Sequence, residues 1–439
     1  MGRNRMNTVF DKSHQHEVSP TRRRMLGALF GATGFWSLPG CAQALFVTPP
    51  RVVNPCLSDL PEDLRDHALV RAAWRDLVPA NVWDCHVHLA GTGDSGSGMT
   101  IAREMRSPLY PMQYLQRLFY LNAGCAHDAP DRVDESYVER LSNLMSGMPP
   151  GAKLMLYAFD HVHAPDGTPR PERSAFHVPD AYARKVAQAA PHWFEWVCSV
   201  HPARGDAIDA LEAAAENGAR AVKWLPPAMG IDPSRADYDR YYQTLARLDL
   251  PLITHVGEEQ AVIGVGRPEW GNPLLLRRAL DHGVRVVMAH CASHGEDVDL
   301  DKGPDGPRVE SFELFARMMD EPRAQVLLAG DISATILRNR DIPKLRTLLE
   351  RDDWHDRLLY GSDYPLPGVM PLISPASFAR AGMMVGDAVP VLDRIRQHNP
   401  LLFTFVLKRH LSSNGKHFST TVFETRRFFD RNAELARGA

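Results

Sequence analysis

The sequence predicts an α/β protein folded as a (β/α)8 TIM barrel, with an insertion after the first strand and a helical C-terminal extension. Three observations carry that expectation. Short apolar runs recur between residues 82 and 363, each with the length of a parallel strand buried on both faces. Amphipathic, helix-like stretches separate them. The runs number eight, and spread over about 280 residues they suit a closed barrel better than an open sheet.

The expected strands are Val82–Leu89, Lys153–Phe159, Phe194–Val200, Arg220–Leu225, Pro251–His255, Val284–His290, Gln325–Ala329 and Leu358–Gly361. Between them, the alanine-rich stretch Asp206–Asn217 reads as a helix stopped by Gly218. Tyr238, Tyr241, Tyr242, Leu245 and Leu248 recur at helical steps and predict one apolar face packed on the barrel. Ile342, Leu345, Leu348 and Leu349 do the same within Asp341–Arg351. The segment from Ala90 to Gly151 is the insertion. It opens on the glycine-rich run Gly91–Gly98, which is either a cover over the barrel mouth or a plain solvent loop. The tail from Ser374 to Ala439 is expected to be helical trim.

The remaining organisation follows from composition. At 44% hydrophobic and 23% charged residues, the 439-residue chain has a globular balance and enough length for a full core. Its formal charge of −3 gives no support for nucleic-acid binding. Residues 1–44 have the layout of an export signal, with Thr21-Arg22-Arg23-Arg24 preceding a moderately apolar run from Leu26 to Leu38. The paired arginines resemble a twin-arginine signal, which serves proteins exported already folded. Two exits are readable. Leu38-Pro39-Gly40-Cys41 resembles a lipoprotein box that would anchor Cys41 to a membrane, whereas Ala42-Gln43-Ala44 fits soluble release into the periplasm. Residues 45–80 then form a linker or short helix, and 81–439 the barrel domain. Cys85, Cys198 and Cys291 sit in apolar runs and are expected as buried thiols. Cys56 and Cys125 are available to pair in an oxidising compartment.

In a barrel of this type the chemistry gathers at the carboxyl ends of the strands. Strand one ends in Asp84-Cys85-His86-Val87-His88, strand four carries Lys223, strands five and six end in His255 and His290, and strand eight runs into Asp363. A His-x-His pair is weak evidence alone, because the 19 histidines include three such pairs: 14/16, 86/88 and 161/163. Residues two apart on a strand share a face, so Asp84, His86 and His88 are expected to point into the barrel. Imidazoles with a carboxylate suit zinc or a similar divalent ion, one or two per chain, with a coordination position left for water. Asp363 is the natural acceptor for that water's proton, against a plain reading as a helix cap. By position alone, Glu258, Glu259, His201, Asp331 and the loop histidines His161 and His163 are pocket candidates, and Arg267 is placed to recognise an anionic substrate.

Taken in order, Asp-x-His-x-His on strand one, a histidine on strands five and six, and Gly361-Ser362-Asp363-Tyr364-Pro365 resemble the amidohydrolase superfamily. The resemblance is to its amidohydrolase-2 branch, which includes the aminocarboxymuconate-semialdehyde decarboxylase-like proteins, and it spans roughly residues 80 to 410. It implies that His86, His88, His255 and Asp363 ligate metal. It implies that His290 is either a second-metal ligand or a catalytic histidine. Lys223 lies where binuclear members carry a carboxylated lysine, and its alternative is to pair with a substrate carboxylate. The activity implied is hydrolysis of an amide, lactone or ester of a small molecule, with non-oxidative decarboxylation as the alternative. A surface lipoprotein that binds ligand without turning it over is a third reading.

Overall fold

The structure, a computed structural model, describes residues 52–430. The export signal and Cys41 lie outside the described residues.

Eight parallel strands form the barrel: β1 (Trp83–His88), β2 (Lys153–Tyr157), β3 (Phe194–Val197), β4 (Val222–Trp224), β5 (Leu252–Thr254), β6 (Val286–Met288), β7 (Leu328–Asp331) and β8 (Leu358–Leu359). β1, β2 and β3 pair in that order, and β4 to β8 pair in sequence as a second run. Backbone hydrogen bonds join the two runs at both seams. Lys223 N donates to Cys198 O at 2.7 Å between β3 and β4. Between β8 and β1, Cys85 N donates to Tyr360 O at 3.1 Å and His88 N to Tyr364 O at 2.9 Å. The ring is therefore closed, which leaves no unpaired edge.

Helices follow the strands on the outside: α1 (Pro111–Ala123) and α2 (Val133–Ser146) after β1, then α3 (Asp180–Ala189), α4 (Ala207–Glu216), α5 (Asp239–Arg247), α6 (Arg277–Asp281), α7 (Ser311–Asp320) and α8 (Ile342–Glu350), one in each later interval. The tyrosine stripe does what its spacing predicts. Tyr241 and Tyr242 on α5 pack against Trp224, with ring centroids 5.3 and 5.9 Å apart. Inside the barrel, Cys85, Met155, Val197, Ala221, Ile253, Val287, Ala329 and Leu359 form a separate layer with Phe429. α9 (Ala388–His398) and α10 (Pro400–His410) complete the C-terminal extension, and no described helix is long and apolar enough to cross a membrane.

The insertion after β1 carries α1 and α2, and its glycine-rich start is tied down by Asp134, which accepts from Thr92 N at 2.7 Å and from Ser97 Oγ at 2.6 Å. Two expectations change. The seventh strand is displaced: Ala324–Leu327 forms a helical turn with Val326 82% exposed, and the strand begins at Leu328. Asp331 is thereby its last residue rather than part of the following loop. Asp84 does not share a face with His86. Asp84 pairs with Leu154 and Val87 with Leu156, so Cys85 and His86 together oppose Met155. That bulge breaks strict alternation and re-aims the end of the strand.

Cys56 and Cys125 are disulfide-bonded, whereas Cys85, Cys198 and Cys291 are buried thiols. The bond ties the segment before the barrel to the residues just past α1.

Candidate metal centre

The bulge brings His86 and His88 into one cluster at the mouth. Their Nε2 atoms lie 3.2 Å apart, and each is 3.3 Å from Asp363 Oδ1. His290 Nε2 approaches the other carboxylate oxygen, Oδ2, at 3.8 Å. Lys223 Nζ stands 3.5 Å from His86 Nε2 and 4.9 Å from the centre of the Tyr157 ring. His255 lies beside His290, with ring centroids 5.5 Å apart.

The second nitrogen of each ring decides what this cluster can do. His86 Nδ1 is 2.9 Å from Asp331 Oδ2, and a carboxylate can only accept, so Nδ1 carries the proton. Burial pushes Asp331 up, but His86 and His290 outweigh it and hold the carboxyl far below its usual range. Ser333 Oγ donates to Asp331 Oδ1 and therefore accepts from His290 Nδ1 at 2.7 Å. His255 Nδ1 faces Glu259 Oε2 at 3.3 Å. In all three rings the lone pair is left on Nε2, and the buried His255 Nε2 has no hydrogen-bond partner. Inward-facing lone pairs, backed by carboxylate or hydroxyl on the far nitrogen, are the donor set of a divalent-metal site. The residues fit the group.

Electrostatics agree with that use. Burial favours an uncharged His255, with a pKa of about 3, and drives His290 well below its ordinary value. Burial raises Asp363, yet His86, His290 and His88 overcome it and keep the carboxylate ionised. Burial also lowers Lys223. The backbone is committed to the site as well. His290 and Asp363 have φ of 57° and 60°, left-handed values that cost a non-glycine residue roughly 1–2 kcal/mol each. Behind the cluster, Lys408 on α10 donates to Ser333 O and Gly361 O, both at 2.7 Å, and so holds the ends of β7 and β8 together.

The other sequence candidates are placed differently. Asp84 accepts from Ser362 N at 2.8 Å and His86 N at 3.2 Å, supporting the backbone rather than the pocket. Glu258 points to His294 and Gln260, and its neighbour Glu259 is the carboxylate beside His255. Arg267 is 62% exposed, pairs with Glu269 at 3.3 Å, and lines a cleft of about 620 Å³ with His163, His201 and Trp270. None of the clustered histidines lines that cleft. His201 is satisfied internally, donating from Nε2 to Met229 O and accepting at Nδ1 from Ala203 N, both at 3.1 Å. His163 is likewise engaged, by Gly167 O at 2.9 Å, and His161 stacks on His177. Ser333 and Arg340 have no part in the sequence reading. Both follow β7 in irregular chain, where neither periodicity nor motif marks them.

A family model for amidohydrolases matches residues 83–380. Among solved structures, the chain is similar to an uncharacterized TIM-barrel protein from Bordetella bronchiseptica, at 17% identity over 71% of this chain and 98% of that one, with a TM-score of 0.42. It is also similar to a 4-oxalomesaconate hydratase from Rhodopseudomonas palustris, at 12% identity over 81% and 98% of the two chains, with a TM-score of 0.41. A third is a 5-carboxyvanillate decarboxylase from Sphingomonas paucimobilis, at 10% identity over 80% and 98%, with a TM-score of 0.42. No curated protein matches the chain.

Proposed function

The chain belongs to the amidohydrolase family, and from that premise we propose that it is a metal-dependent hydrolase of a carbonyl-type bond, an amide, lactone or ester, in a small molecule. The observation that carries the proposal is the convergence of His86 Nε2, His88 Nε2 and Asp363 Oδ1 within 3.3 Å of one another. With His255, these residues would hold one divalent ion, zinc by the chemistry of its donors. When bound, such an ion supplies Lewis acidity toward a carbonyl oxygen and lowers the pKa of water.

The chain's own groups divide the remaining work. Asp363 presents Oδ1 to His86 and His88 and Oδ2 to His290, so Oδ1 would help to hold the ion while Oδ2 is placed to accept a proton from water. His290, neutral and fixed by Ser333, offers Nε2 beside that oxygen and can hold or pass on the proton. Lys223, buried among the ligands, orients substrate or water as an amine donor in this one-ion reading.

The test is a panel of lactones, amides and aromatic carboxylic acids offered to zinc-reconstituted protein, read for hydrolysis and for carbon dioxide. Hydrolysis that disappears in Asp363→Asn supports the proposal. Carbon dioxide release without hydrolysis would replace it with decarboxylation.

We also propose export, with Cys41 as an anchor or Ala42-Gln43-Ala44 as the release site. The Cys56–Cys125 disulfide supports this, since such bonds persist in oxidising compartments. Fractionation of cells expressing the full chain, with an Arg22→Lys/Arg23→Lys control, tests it; retention of the wild-type chain in the cytoplasm would contradict it.

A further inference from the structure

α1 is turned inside out relative to the other barrel helices. On α5 the apolar side chains Tyr241, Tyr242 and Leu245 are buried against the barrel. On α1 polar side chains face inward: Gln116 Nε2 and Tyr120 Oη both donate to Ala261 O, at 2.6 and 2.9 Å, in the loop after β5. Leu115 and Leu118 turn away from that loop and are exposed, and of the helix's 13 residues only Leu121, Asn122 and Ala123 are buried. Leu109, 84% exposed, and Tyr110 extend the apolar surface ahead of the helix. Ile263, in the loop on which α1 rests, is exposed beside Ala102 and Glu104. Single exposed leucines are ordinary, but a stripe of them on one helix face marks a surface that meets a partner.

Charge and chain path say what that partner is. The helical turn Arg103–Arg106 packs on α1 and presents Arg103 and Arg106 to solvent, with Glu104 as its one acid. Leucine and tyrosine bordered by arginine suit the headgroup layer of an anionic bilayer, where the apolar side chains enter and the guanidinium groups meet phosphate. The chain also joins the fold at this helix. Asn54 N donates to Asn122 Oδ1 at 2.9 Å, Asn122 Nδ2 donates to Asn54 O at 3.1 Å, and Cys56 is bonded to Cys125 just past α1. Asn54 follows Cys41 closely in the sequence, and the intervening chain spans about 45 Å at full extension. An acyl anchor at Cys41 would therefore keep α1 within reach of the bilayer.

We propose that the exposed face of α1, together with Leu109 and Tyr110, docks on an anionic lipid surface and lies in its headgroup layer without crossing it. The loop under α1 leads from His255 and Glu259, so the docked face lies on the mouth side of the barrel. The proposal goes beyond the hydrolase reading and takes from the export reading only which bilayer is met.

Flotation of the full chain with vesicles tests it, in a Cys41→Ser background that can form no acyl anchor at that position. The vesicles are an equal mixture of phosphatidylglycerol and phosphatidylethanolamine, or phosphatidylcholine alone. The parent is expected to bind the anionic vesicles about tenfold more tightly than Leu115→Gln/Leu118→Gln does, and to lose its preference over phosphatidylcholine in Arg103→Gln/Arg106→Gln. Any contribution of the apolar run Leu26–Leu38 is common to all three chains and cancels in the comparison. The leucine variant should melt as the parent does, because neither side chain is buried. Equal flotation of the parent and the leucine variant overturns the proposal, as does binding that ignores lipid charge. A parent that runs as a dimer and a leucine variant that runs as a monomer on gel filtration, with neither floating, also overturns it and assigns the face to a second copy of the chain. Leucine-dependent flotation of a chain whose intact Cys41 carries no acyl group by mass spectrometry would leave the docking surface standing and remove the anchor instead.

Discussion

His86 Nδ1 and Asp331 Oδ2 meet at 2.9 Å in the barrel interior, and this contact fixes the imidazole lone pair on the nitrogen that faces His88 and Asp363. The same carboxylate accepts from His290 N and Ser333 N, both at 3.0 Å. One buried aspartate thus orients two of the histidines. Partners of this kind carry much of a metal site's affinity.

Asp331→Asn is therefore expected to weaken zinc binding by about 10–100-fold. Competition against a chromogenic chelator measures it. An unchanged affinity would mean that the contact is packing alone.

Lys223→Met is expected to retain one zinc per chain. The ring nitrogens gather around a single carboxylate, Asp363, with Lys223 as an amine beside them. Elemental analysis after gel filtration reads the ratio. Two ions in wild type falling to one in the variant would favour a carboxylated, bridging lysine.

His201 gives the protein an acid-side weakness. Burial, with His163 adding to it, lowers its pKa to about 4, against Asp160 and the bond to Met229 O. The folded value is depressed, so the stabilisation is present above the unfolded pKa of roughly 6.5 and is lost as pH falls toward 4, by roughly 3 kcal/mol. His201→Asn should flatten urea-derived stability between pH 6.5 and 4 relative to wild type. Parallel profiles would show that His201 titrates normally.

Removing the disulfide should cost stability through the unfolded chain. The bond closes 69 residues of separation, and loop entropy gives about 4 kcal/mol as its upper contribution. Cys56→Ala/Cys125→Ala is expected to unfold at lower urea than wild type, and a reducing agent should bring wild type down to the variant without affecting the variant. A reductant effect on both alike would point to some other group.

The barrel was legible because eight apolar runs each carry their own signal, and the cluster at its mouth because His86, His88, His255, His290 and Asp363 stand at strand ends. What escaped depends on chain geometry that leaves no periodic trace. The bulge at Cys85-His86 sends Asp84 to the backbone of Ser362. The helical turn at Ala324–Leu327 shifts β7 and makes Asp331 its end. Glu259 and Glu258 are adjacent and chemically alike, so only the fold of their loop decides which meets His255.

The most direct measurement is calorimetric titration of metal-free wild type and His86→Ala with zinc. One tight equivalent in wild type, lost in His86→Ala while the variant remains folded by circular dichroism, is the result expected of the centre at His86, His88, His255 and Asp363. Wild type that binds no divalent ion tightly, or His86→Ala that binds zinc as wild type does, would contradict it.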